Sequence, residues 1–213
     1  MNIGIFDTGN GGLFVEKLLQ KAFLDHKFIR VADPANAPYG SRSNTEIVQL
    51  SDIAIQPLLA NCQIIVIACN TVTAVAIDKL REKYPNTRFV GYEPMMKPAT
   101  QNSQSKHLTV LATVATLRNS QVFKQLSTSD NYQVDYTDTT NWARLIDQDD
   151  VDSIDLAEVE ASYRAGSDSI LIGCTHYIAL IDRLTHLMPN ATIYEPTPAI
   201  INVIRRQVDE LQQ

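Results

Sequence analysis

Short apolar runs alternate with longer amphipathic stretches along this 213-residue chain. The runs Ile3–Phe6, Phe28–Ala32, Ile64–Ala68 and Arg88–Gly91 predict strands, as do Leu108–Ala112, Tyr132–Tyr136, Ser169–Ile172 and Thr192–Tyr194. Between them, Phe14–Phe23, Asn44–Asn61, Val72–Lys83, Leu117–Leu126, Leu156–Ala165 and Ile178–Met188 predict helices, and a last helix starts at Pro198. Ser43 or Asn44 is suited to cap the second of these. Strands that alternate with helices imply parallel sheets joined by right-handed crossovers, the α/β class.

The alternation restarts after the proline-bearing stretch Glu93-Pro94-Met95-Met96-Lys97-Pro98. Two similar lobes are therefore expected, each a mostly parallel sheet flanked by helices. The first spans residues 1–93 and is completed by 190–213; the second spans 94–189. Ligands in such folds sit beyond the C-terminal ends of strands, which places the expected active site between the lobes.

Composition narrows the function. Eighteen Lys and Arg stand against 24 Asp and Glu, a net charge of −6 with no basic cluster, so nucleic acid is not the expected partner. No apolar run is long enough to cross a bilayer, and the first residues have no signal-peptide pattern; a soluble cytoplasmic protein, with no membrane partner, is expected. Three cysteines without a C-x-x-C pair argue against both a disulfide framework and a metal site.

Four polar segments follow predicted strands: Asp7-Thr8-Gly9, Cys69-Asn70-Thr71, Thr113 to Thr116, and Gly173-Cys174-Thr175-His176. Two share a layout of apolar strand, cysteine, then hydroxyl or amide residues opening a helix. A helix N-terminus binds carboxylates and lowers a thiol's pKa. A single cysteine after a strand is more often a small buried hydrophobe, Asp7 could cap a helix, and His176 could be a core histidine. Two cysteines in equivalent places of two lobes favour chemistry. Cys62 is read as structural, and His107 and His186, lacking polar companions, as carrying no chemistry.

The blocks Gly4-Ile5-Phe6-Asp7-Thr8-Gly9 with Gly11-Gly12-Leu13, Pro38-Tyr39-Gly40, Ala68-Cys69-Asn70-Thr71, Leu111-Ala112-Thr113-Val114-Ala115-Thr116 and Gly173-Cys174-Thr175-His176-Tyr177 resemble, in order, the signature blocks of the glutamate racemase family. The resemblance covers nearly the whole chain. It implies cofactor-independent racemisation of glutamate, supplying D-glutamate for peptidoglycan, with Cys69 and Cys174 as opposed acid and base. It further implies that Asp7 assists Cys69 and His176 assists Cys174. Thr8, Pro38, Tyr39, Gly40, Asn70, Thr71, Thr113, Thr116 and Thr175 would hold the substrate, and Asp147 falls where the family has a supporting Glu. Departures are Thr8 for the usual Ser, Asp147 for Glu, and Glu195-Pro196-Thr197 where an Asp-Ser block is usual. The chain after His176 is also shorter than in typical members.

The resemblance thus implies a small dicarboxylic amino acid as substrate, glutamate before aspartate, with no cofactor and no metal. A homodimer is compatible with this reading. Competing readings are an aspartate or related racemase, and a non-catalytic small-molecule-binding paralogue. His176 speaks against the first, since those relatives commonly carry Glu there.

Overall fold

The structure, a computed structural model, describes residues 1–121, 123 and 131–213. The chain divides into two compact units, Met1–Glu93 with Pro196–Gln213, and Pro94–Glu195.

The first unit runs β1 (Asn2–Asp7), α1 (Gly11–Ala22), β2 (Lys27–Ala32), α2 (Asn44–Ala54), α3 (Gln56–Leu59), β3 (Ile64–Ile67), α4 (Asn70–Lys83) and β4 (Arg88–Gly91). Its four strands are parallel in the order β2-β1-β3-β4. All four residues of β3 are apolar and buried, as an interior strand covered on both faces requires. Around it Phe6, Ile47, Ile55, Leu58, Val72, Ile77, Leu80 and Phe89 close the core.

One helix had been expected over residues 44–61, but it breaks at Ile55 into α2 and α3. Pro57 explains the break: it has no N–H to donate, and its ring collides with the carbonyl four residues back in a continuing helix. At the other end Ser43 caps α2, with Ser43 and Glu46 exchanging side-chain and backbone bonds in a capping box.

The second unit runs α5 (Met96–Asn102), β5 (His107–Ala112), α6 (Val114–Asn119), β6 (Gln133–Tyr136), α7 (Trp142–Asp147), α8 (Ala157–Arg164), β7 (Ser169–Gly173), α9 (Ile181–Leu187) and β8 (Thr192–Tyr194). Its parallel strand order, β6-β5-β7-β8, repeats that of the first unit. Residues 192–194 pair with β7, so this unit extends to Glu195 and only Pro196–Gln213 joins the first. That last segment is α10 (Thr197–Gln212), which buries Ile200, Ile204 and Val208 at helical spacing. Tyr92 and Thr197 hydroxyls meet at 3.0 Å, and Arg88 pairs with Glu210.

Helices α5 and α7 were not expected from the pattern. Pro98, part of the proline-bearing stretch between the lobes, stands in the first turn of α5, where an N–H has no helical acceptor anyway. The helix expected over 117–126 is α6, which starts three residues earlier; Leu126 lies outside the described residues. No helix among the described residues is long and apolar enough to cross a membrane.

His107 does have polar companions, contrary to expectation. Its Nε2 lies 2.7 Å from Asp135 Oδ2, which also accepts from the Ser162 hydroxyl at 2.6 Å. Buried Thr109 continues this chain to Ser162 and Ser167, joining β5, β6 and α8. Alternation along β5 puts His107 and Thr109 on one face, a placement visible only once the strand has a partner.

Asp168 ties the start of β7 to the loop after α5. It accepts from the Ser103 and Ser169 hydroxyls and from the backbone N–H groups of Gln104 and Ser105. Burial alone would raise its pKa, but these bonds outweigh burial and hold the carboxyl at about 2, below its ordinary 3.8. A carboxylate held below its unfolded value stabilises the fold above that value and loses the contribution as pH falls through the folded one. Asp168→Asn should therefore lower the melting temperature at pH 7. The gap to the parent should narrow between about pH 4 and pH 2, read by thermal melts across that range.

Candidate active site

In the first unit the candidate residues gather at the C-terminal ends of β1 and β3, its two interior strands. Asp7 closes β1 with 1% of its surface exposed, and its Oδ1 accepts from the Gly9 N–H at 2.8 Å. The next residue, Thr8, donates its hydroxyl to Cys69 Sγ at 3.6 Å, a contact between the two strand ends. Gly12 makes room for this corner, since a Cβ there would fall 2.7 Å from that of Asp7.

Cys69 caps the 14-residue helix α4, and its carbonyl accepts from the Thr73 N–H. Its side chain therefore sits where the unpaired N–H groups and positive end of a helix favour a thiolate or a bound carboxylate. Asn70 and Thr71 open the same helix and are buried; Asn70 Nδ2 donates to the Tyr92 carbonyl at 3.1 Å.

Tyr39 is buried in the same core cluster as Cys69. Its hydroxyl donates to Asp33 Oδ2 at 2.7 Å, and Asn36 Nδ2 donates to both oxygens of that carboxylate. Burial, then the Asp33 bond and charge, then the charge of Cys69, push the Tyr39 phenol far above its ordinary value. Pro38 follows a cis peptide bond, and Gly40 stands in the 3-10 turn Tyr39–Ser41. Asp33 and Asn36 are the functional candidates that sequence reading missed. The Asp-Pro-x-Asn spacing of a turn was their one visible signal.

In the second unit the equivalent strand ends are those of β5 and β7. After β5, Thr113 caps α6, accepting from the Thr116 N–H, and the two hydroxyls meet at 2.9 Å. After β7 comes Cys174, with Sγ 3.7 Å from His176 Nδ1, and His176 Nε2 lies 3.1 Å from Asp147 Oδ1. Asp147 thus reaches the imidazole despite its short side chain. The carboxylate orients the ring and selects which nitrogen faces the sulfur. Thr175 is buried beside them.

One expectation fails here. Residues after Cys174 do not open an α-helix: Thr175–Leu180 form 3-10 turns, and α9 starts only at Ile181. The helix-terminus argument therefore applies to Cys69, while the polar partner of Cys174 is His176. Gly173 sets up this turn, because a Cβ there would meet Ala112 Cβ at 2.7 Å and the Leu111 carbonyl at 3.2 Å.

Cys62, by contrast, is buried in the core of the first unit, where burial pushes its thiol up. A polar cavity of about 460 Å³ lies where β5 and β6 begin, lined among others by Lys106, His107, Tyr132 and Gln133. None of the candidate residues lines it. Among the described residues no group of three or more His, Cys, Asp or Glu could hold a metal ion.

Each unit, with the same strand order, places a cysteine just beyond an interior strand, in contact with a polar partner of that unit. Residues 14–204 match the family described as Asp/Glu/Hydantoin racemase. The chain is 33% identical to a glutamate racemase of Cupriavidus pinatubonensis, over 98% of this chain and 79% of that protein. It is 35% identical to a glutamate racemase of Herpetosiphon aurantiacus, over 96% and 83%. The fold is similar to the crystal structure of Escherichia coli glutamate racemase in complex with L-glutamate and the activator UDP-MurNAc-ala. There the TM-score is 0.81 at 24% identity, with 100% of this chain and 82% of that one covered. The chain belongs to the Asp/Glu/Hydantoin racemase family.

The tight place of Gly173 gives a direct check. Gly173→Ala should cost about 1–3 kcal/mol, because the added methyl meets a neighbouring side chain and backbone rather than open space. Chemical denaturation should show this loss, whereas Gly166→Ala, with open space around its Cβ but a φ of +109°, should suffer from backbone strain alone.

Proposed function

We propose that this protein interconverts L- and D-glutamate by a two-base mechanism, with Cys69 and Cys174 as the acid–base pair. The observation that carries the reading is the repeated strand-end cysteine, each held by a polar partner of its own unit, in a chain of this family. The two relatives named above, both glutamate racemases, support glutamate as the substrate.

Racemisation takes the α-proton from one face of the carbon and returns a proton to the other. One thiolate abstracts while the opposite thiol donates, and the roles exchange for the other enantiomer. In this account the Thr8 hydroxyl and the α4 N-terminus favour the thiolate form of Cys69, and Asp7 assists from the end of β1. His176, oriented by Asp147, exchanges the proton of Cys174. Asn70, Thr71, Thr113, Thr116 and Thr175, with Tyr39 fixing its loop, supply hydroxyl, amide and N–H groups suited to an amino acid's carboxylate and ammonium. No cofactor is needed, because two thiols supply both proton transfers. Three free cysteines suit a reducing, cytoplasmic setting, and D-glutamate production for peptidoglycan is the cellular role that goes with this activity.

Purified protein incubated with each enantiomer of glutamate and aspartate should change the optical rotation of glutamate fastest. Cys69→Ser and Cys174→Ser should each lower turnover by about 10²–10⁴-fold or more, since a serine hydroxyl is a poor acid and base in this range. Cys62→Ser should match the parent. Parental rates in both cysteine variants would reject the mechanism, and faster turnover of alanine than of glutamate would reject the substrate.

A further inference from the structure

Tyr92, the residue after β4, is 1% exposed and is fastened in three directions, all within the first unit. Its backbone N–H donates to the Ile67 carbonyl at 3.0 Å, and its own carbonyl accepts from Asn70 Nδ2 at 3.1 Å. Those two partners stand on either side of Cys69, as the last residue of β3 and the first of α4. The Thr73 hydroxyl, one turn into α4, donates to the same Ile67 carbonyl at 3.2 Å. Tyr92 therefore grips the turn that carries the thiol both before and after Cys69.

This close approach depends on Gly91. A Cβ there would fall 2.5 Å from Thr73 Cγ2 and 2.6 Å from Ile77 Cδ1, so the end of β4 lies this near α4 only because it has no side chain. The third fastening comes from the far end of the sequence. The Tyr92 hydroxyl meets the Thr197 hydroxyl at 3.0 Å, and Thr197 is the buried first residue of α10. That helix is itself anchored by its buried stripe of Ile200, Ile204 and Val208. Two buried hydroxyls are costly to leave unpaired, so their bond holds the Tyr92 ring, and with it the backbone beside Cys69, in one place.

Resting on the racemase reading above, we infer that Tyr92 and Thr197 are positioning residues for Cys69, holding the β3–α4 turn so that the thiol stays at the helix N-terminus. Neither residue needs to touch substrate to do this. The field of a helix end acts within its first turn, so a small displacement of the turn weakens the stabilisation of the thiolate. Helix α10 thereby becomes part of the first half-site through one hydroxyl pair, although its own residues lie more than a hundred positions beyond Cys69.

In a Cys62→Ser, Cys174→Ser background Cys69 is the one remaining thiol, and its alkylation by iodoacetamide is followed across pH. Tyr92→Phe and Thr197→Val each keep the shape and remove one hydroxyl. Either should move the midpoint of the profile upward and slow alkylation near neutrality by about three- to tenfold. Thr197→Ser, which keeps the hydroxyl, should stay with the parent. Tyr92→Phe with Thr197→Val should do no more than either alone, because both remove the same bond. With all cysteines present, kcat/KM for both enantiomers of glutamate should fall by a similar factor in the Phe and Val variants and recover in Thr197→Ser. Lower melting temperatures with unchanged profiles and unchanged kcat/KM would make the pair merely structural and overturn the assignment. So would a Thr197→Ser protein that behaves like Thr197→Val. Should Tyr92→Phe fail to fold, the comparison of Val with Ser at position 197 decides alone. A parent inert toward both enantiomers would refute the racemase reading itself, while the alkylation profiles would still decide what this pair does to Cys69.

Discussion

Parallel pairing on both sides of an interior strand is the constraint on which the rest of this structure depends. β1 and β3 in one unit, and β5 and β7 in the other, have strand neighbours on each edge and helices over their faces. Their backbone groups are consumed by the ladders and their side chains by the core. Chemistry can enter only where these strands stop. The polar residues at those stops, Asp7 and Thr8, Cys69, Thr113, and Cys174, are held by a buried scaffold that none of them has to stabilise. Sites supported on such rigid elements keep their geometry better than sites built on long loops.

The same sheet order twice over does not give the same half-site twice. Cys69 sits on the first turn of a long helix with a hydroxyl donor at its sulfur. Cys174 is followed by 3-10 turns and relies on an imidazole backed by a carboxylate. One cysteine faces a helix N-terminus and a hydroxyl, and the other faces a group that can itself carry a proton.

Most of the strands were legible because buried parallel strands read as unbroken apolar runs, Ile64–Ile67 and Ile170–Ile172 most clearly. The cysteines were legible because each closes such a run. What stayed hidden depends on contacts far apart in sequence. The Asp147–His176 bond spans 29 residues; the Asp33–Tyr39 bond is local, and it stayed hidden because it lies inside a loop without periodicity. Helix α7 is six residues long, flanked by Asn141 and Asp149 at positive φ, too short for a helical period to show. His107 read as idle because its partners, Asp135 and Ser162, come from a neighbouring strand and a helix.

The central claim is that two different groups handle the proton leaving and the proton arriving. Racemisation of L-glutamate in deuterated water, stopped at low conversion and resolved by enantiomer, tests it most directly. The account predicts D-glutamate carrying deuterium at Cα from its first appearance, while the remaining L-glutamate is still protiated. Product that keeps the original α-proton, or an unreacted pool that gains deuterium as fast as product forms, would show a single base at work and contradict it.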